Sequence, residues 1–252
     1  MSHPKPLHAL AAAALAAAVA LGPAHLAAAA TPGQSVQGLP TSDQLTAALL
    51  TVDDVGPGFT QVPSTASPSP SAGPSTMPSP ANGCDALSDL INMHTGIPGP
   101  ETPHAEAELD GPGGNPMVTE SLTAEDAGKL TTDLDAATAA LKSCHTITFN
   151  AGTNDSVTFT VTPVTLGDRQ DAPAVRLDGT LAGVQLNAFV GVERFGTVGM
   201  AFGFFQRGGD SPQLASFQYR AAVAKVQRAL GTTAGSTTPP TATAPVTQGA
   251  LV

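Results

Sequence analysis

The sequence predicts an α+β fold: an antiparallel sheet of about five to six strands packed against helices, with one disulfide. Three observations lead there. Apolar and polar side chains alternate repeatedly between residues 157 and 204, the period of a half-buried strand. Segments 124–143 and 212–230 instead space their apolar residues for one face of a helix. The links between strand candidates are short, which suits antiparallel neighbours with one face covered by helices.

The chain opens with a weakly basic lead (His3, Lys5, His8), an apolar run from Ala9 to Leu21, and small residues at Ala28–Ala30. That order predicts a secretory signal peptide over 1–30, cut near Ala30. The run is shorter than the ~20 residues that span a bilayer, and Pro23 would interrupt a longer helix, so export without a retained anchor is expected. With no Cys at the cleavage region, no acceptor for a lipid is expected either.

Residues 31–41 read as a flexible leader, and the folded domain as 42–230. Ser42-Asp43 precedes Leu45, Leu49 and Leu50 and predicts a short amphipathic helix. Thr51–Phe59 turns the chain, and Phe59–Val62 is a brief strand candidate. Residues 63–83 are mostly Ser, Pro, Ala, Gly and Thr, which bury no core, so they read as an extended insertion. Leu87, Leu90 and Ile91 suggest a helix from Cys84 to Met93. Ala105–Leu109 and Met117–Leu122 are strand candidates joined by a Gly/Pro/Asn-rich turn.

The longest helical pattern runs from about Ala124 to Ser143, capped by Thr123, with Leu130, Leu134, Ala137 and Leu141 on one face. Val157/Phe159/Val161 and Val175/Leu177 form strands, Asp178-Gly179 being either a turn or a continuation. Val184–Val192 and Val198–Phe204 follow, reversed at Phe195-Gly196-Thr197. A last helix over 212–230 uses Leu214, Phe217, Ala221 and Ala224. Residues 231–252 are Thr/Pro/Ala-rich and free of charge, which predicts a disordered tail.

Charge narrows the partners. The chain has a formal charge of −10, and removal of Lys5 with the signal leaves nine basic against twenty acidic residues, or −11. Phosphate backbones and anionic lipid surfaces require basic patches, so nucleic acid is not an expected partner. The two cysteines, Cys84 and Cys144, read as one disulfide formed in an oxidising compartment. A metal site lacks the necessary ligand spacing.

The part after residue 30 carries no hydrolase, phosphate-loop, zinc or EF-hand motif, so no cofactor, metal or catalytic residue is expected. His94, His104 and His145 read as surface residues, His145 being partly buried beside Cys144. Asp53-Asp54 and Asp133/Asp135 read as solvated helix surface, because neither pair shares a helical face or a ligand loop. One constellation stands out. Thr158, Thr160, Arg176, Asp178, Gln185, Asn187 and Glu193 occupy the polar positions of successive strands, expected to point away from the helices. Thr158, Thr160, Arg176 and Asn187 are the candidate lining of a polar ligand cleft.

The order Leu49-Leu50-Thr51, Asp54-Val55-Gly56-Pro57-Gly58-Phe59, Cys84, a helix closing at Cys144, Gly167-Asp168 and Val192-Glu193-Arg194-Phe195-Gly196 resembles the PknH-like extracellular domain of actinobacterial kinases, lipoproteins and secreted proteins. It spans roughly 42–230. The resemblance implies a helix-flanked antiparallel sheet with a cleft, disulfide use, and sensing or binding of an extracytoplasmic ligand. It supplies no catalytic residues. The expectation is a secreted or cell-wall-associated, non-enzymatic, sensor-like domain for an unknown small molecule or envelope component. The alternatives are a secreted hydrolase with a dispersed Ser/His/Asp site and a structural envelope protein.

Overall fold

Strand alternation and helical spacing resolve, in the computed structural model, into nine strands and four helices among the described residues. The structure describes residues 38–63, 81–82, 84, 102–150 and 156–240. The helices are α1 (Ser42–Ala48), α2 (Val52–Val55), α3 (Ala127–Ser143) and α4 (Pro212–Leu230). The strands are β1 (Thr60–Val62), β2 (Ala81–Asn82), β3 (His104–Asp110), β4 (Met117–Ala124), β5 (Thr146–Asn150), β6 (Ser156–Pro163), β7 (Ala174–Leu181), β8 (Val184–Phe195) and β9 (Val198–Arg207). They form one antiparallel sheet in the order β1-β3-β4-β9-β8-β7-β6-β5-β2. The α+β class and the antiparallel sheet match the expectation, and the sheet is wider than the five or six strands expected. The signal segment and the predicted helix after Cys84 lie outside the described residues, as does most of the 63–83 insertion. Its end is an exception: Ala81-Asn82 pair with β5.

Helices cover both faces of this sheet, which corrects the one-sided arrangement expected from sequence. Successive residues of β8 point to opposite sides, and each side has its own core. Ala188, Val190 and Val192 meet Val175, Leu177, Ala201 and the α3 residues Ala137, Ala140 and Leu141. Phe189 and Phe195 meet Phe202, Phe204, Met200 and the α4 residues Ala215, Tyr219, Ala222 and Val226, with Leu45 and Leu50 closing the end. The Phe202 and Tyr219 rings meet edge-on, their centroids 5.4 Å apart.

Several local expectations shift by a residue or a face. Thr41, not Ser42, caps α1, in a reciprocal capping box with Gln44. Thr123 belongs to β4, so Asp126 caps α3 by accepting from the backbone of Gly128 and Lys129. On α4 the buried stripe is Ala215, Gln218, Tyr219, Ala222, Val226 and Leu230, so the predicted Phe217 faces solvent, 51% exposed. Asp178-Gly179 continues β7, and the chain turns at Ala182-Gly183.

Residues 231–240 stay with the domain, where the sequence placed the start of a loose tail. The Gly235 backbone donates to the Arg194 carbonyl, Gly196 donates to Ser236, and Phe195 forms a parallel bridge with Ser236. Arg169 completes the strap. Its Nη1 donates to the Ala234 carbonyl at 2.6 Å while Nε lies 3.0 Å from buried Glu193. Gly235 sits at φ +76°, a backbone conformation that strains residues bearing a β-carbon, and so suits this turn.

Candidate functional site

The antiparallel register of β7 and β8 sets three cross-strand pairs on one face: Arg176 with Phe189, Asp178 with Asn187, and Thr180 with Gln185. Side chains at i and i+2 share a face, so these six residues form a two-column patch. The loop after β9 rises beside it. Gly208 donates to the Gln185 carbonyl, and the Asn187 side-chain amide donates to the Gly209 carbonyl, which brings Asp210 over the patch. The result is a cleft of about 230 Å³ lined by Arg176, Asp178, Gly179, Thr180, Gln185, Asn187 and Asp210.

Arg176 organises this cleft. Its Nε and Nη2 donate to the Asp178 carboxylate at 2.7–2.9 Å, and its Nη1 lies 2.9 Å from Asp210. Hydrogen bonding to Asp178, joined by Asp210, holds the guanidinium pKa above its ordinary value. The same group lies over the Phe189 ring, 5.5 Å from its centroid. Fork, second carboxylate and ring together fix a side chain that otherwise samples many rotamers.

The sequence-predicted residues divide cleanly. Arg176 and Asn187 line the cleft together with Asp178 and Gln185. Thr158 and Thr160 lie on the same face but outside the cleft and are exposed, and the Thr158 hydroxyl pairs with that of Thr148 at 2.8 Å. Glu193 is elsewhere: it is buried beneath the strap against Arg169, and burial raises its pKa. The polar face as a whole does not point away from the helices. Its β8 end continues under α4, and only the part beyond that helix opens. Asp210 and Thr180 went unread in the sequence. The signal for Asp210 was the Gly208-Gly209 pair, which lets a loop turn sharply beside the Pro212 that starts α4.

The protein's fold is similar to a solved one. The structure aligns with the crystal structure of the extracellular domain of PknH from Mycobacterium tuberculosis, with a TM-score of 0.50 and 15% sequence identity. The alignment covers 76% of this chain and 97% of that one. What the two share is the fold. No protein-family model matches the chain, and no curated protein does.

Elsewhere, the disulfide is present: Cys84 joins Cys144, at the C-terminal end of α3, across 60 residues of chain. His145 beside it is exposed rather than partly buried. The His104 ring lies 2.9 Å from the Thr102 carbonyl. His94 lies outside the described residues. No described helix is long and apolar enough to cross a membrane.

Proposed function

We propose that the protein is a secreted, non-enzymatic, sensor-like binding domain that works outside the cytoplasm, in the medium or cell wall, and takes a small polar ligand in the β7–β8 cleft. The observation that carries this reading is the convergence of Arg176, Asp178 and Asn187 from two strands with Asp210 from a loop, around one concavity. A bidentate ion pair, a ring beneath it and a loop tied above it hold that concavity in one shape. The disulfide supports an oxidising compartment, and the likeness to the extracellular domain of PknH agrees with it. The segment over 1–30 supplies the route of export.

A thermal-shift screen of the protein against envelope sugars, amines and metabolites tests the reading, because a ligand that binds only the folded state raises Tm. Arg176→Ala and Asn187→Ala should each abolish the shift given by a hit. Undiminished shifts in both variants would mean that the ligand sits elsewhere.

A further inference from the structure

Resting on that reading of the cleft, we infer that its ligand carries a small cationic group, an ammonium or an amidinium, and that anions are excluded. The argument is a charge count within a fixed geometry. Arg176 is the positive group lining the cleft, and Asp178 and Asp210 are the negative ones, so the cleft carries a formal charge of −1. The guanidinium is already engaged. Asp178 takes its Nε–Nη2 edge and Asp210 takes Nη1.

An arriving phosphate or carboxylate would find only the two outer N–H groups that these carboxylates leave on Nη1 and Nη2. There it would lie beside both aspartates, and their like charge opposes its binding. A cation meets the opposite situation. The Asp178 and Asp210 side chains are 39% and 43% exposed, so each presents oxygen lone pairs to the cleft beyond those held by Arg176. A bound ammonium neutralises the surplus charge. The Thr180 hydroxyl and the Gln185 amide remain on the rim for hydroxyl or amide groups next to that cation. Asn187, 6% exposed, closes the floor, and its bond to Gly209 holds the loop that carries Asp210. The acidic balance of the whole chain draws cations toward this surface and slows the approach of anions.

The test is an NMR titration of the isotope-labelled protein at constant ionic strength with three probes: ethanolamine, glucose and inorganic phosphate. The signals followed are the side-chain amides of Asn187 and Gln185 and the Nε–H of Arg176. Ethanolamine should shift them saturably, glucose at least about tenfold more weakly, and phosphate not at all, since a hydrogen bond to a charged group is worth about one decade or more in affinity. Asp210→Asn should weaken ethanolamine about tenfold. Asp171→Asn, which alters an exposed carboxylate paired with Arg169 outside the cleft, should leave it unchanged. Saturable shifts with phosphate, or glucose binding as tight as ethanolamine and indifferent to Asp210→Asn, would overturn the charge inference while the cleft stays a binding site. Unmoved signals with all three probes would overturn both.

Discussion

The α4 face of the sheet falls into two neighbourhoods built from the same strand alternation. Toward β9 and β4 the inward positions hold Phe189, Phe202, Phe204, Met200 and Leu122, all buried beneath α1, α2 and α4. Toward β7 and β6 the same positions hold Arg176, Asp178, Thr158 and Thr160, which are half-buried or exposed. The change of character runs along the face from strand to strand, and the boundary passes through β8, between Phe189 and Asn187. A helix footprint, not a sheet side, separates core from cleft. Phe189 belongs to both, packed into the core on one side and supporting Arg176 on the other.

Four changes sharpen or break that contrast, taken from the largest effect to the smallest. Phe202→Ala removes a fully buried ring from the centre of the covered half and should cost about 3–5 kcal/mol in urea unfolding. A loss below about 1 kcal/mol would mean that the site is not under α4 as described. Replacing both Cys84 and Cys144 with Ser releases a constraint across 60 residues and should cost about 2–4 kcal/mol by the same measurement.

The third change concerns the carboxyl that the covered half conceals. Glu120, on β4, is buried, and its Oε2 accepts from the Leu50 backbone at 2.6 Å. Burial pushes its pKa up to about 8, against the opposing bond from Leu50. Above the ordinary value near 4.5 the unfolded chain releases this proton while the folded protein retains it. Stability therefore falls as pH rises through that window and levels off past the folded value. Glu120→Gln should remove that component of the slope. Parallel urea midpoints for the two proteins that stay parallel across the window would show that Glu120 is not buried as described. The fourth change is in the open half: Thr160→Ala should alter stability by no more than about 0.5 kcal/mol, and a larger loss would place Thr160 under cover.

Much of this was legible from the chain. Strict alternation over 184–192 and 198–204 gave β8 and β9, and the helical spacing gave α3 and α4. Arg176 and Asn187 were readable because polar positions two apart on neighbouring strands must share a face. What lay above them was not readable. Alternation shows that two sides differ but is silent on which helix covers which, so Glu193 reads as part of the open polar face although the strap buries it. The α4 stripe was misplaced for a related reason. Ala215, Ala222 and Tyr219 carry less apolar signal than Leu214 and Phe217, yet small residues let the helix approach the sheet closely. β5 escaped notice although Ile147 and Phe149 alternate with threonines, because it is short and follows directly on Cys144. For Asp210 the Gly208-Gly209 pair marks a turn, but no local pattern announces that the turn bonds back to Gln185 and so stands over the cleft.

The strap at residues 231–240 has a consequence for how the molecule can be presented to its surroundings. It grips β8 at Phe195, while the cleft lies near the other end of that strand at Asn187, roughly 26 Å away at about 3.3 Å per residue. Pro240 itself lies against Gly196, at the pole opposite the binding mouth. A surface, bead or fusion partner joined there leaves the mouth unobstructed, whereas an attachment made through the Gly208–Asp210 loop would block it.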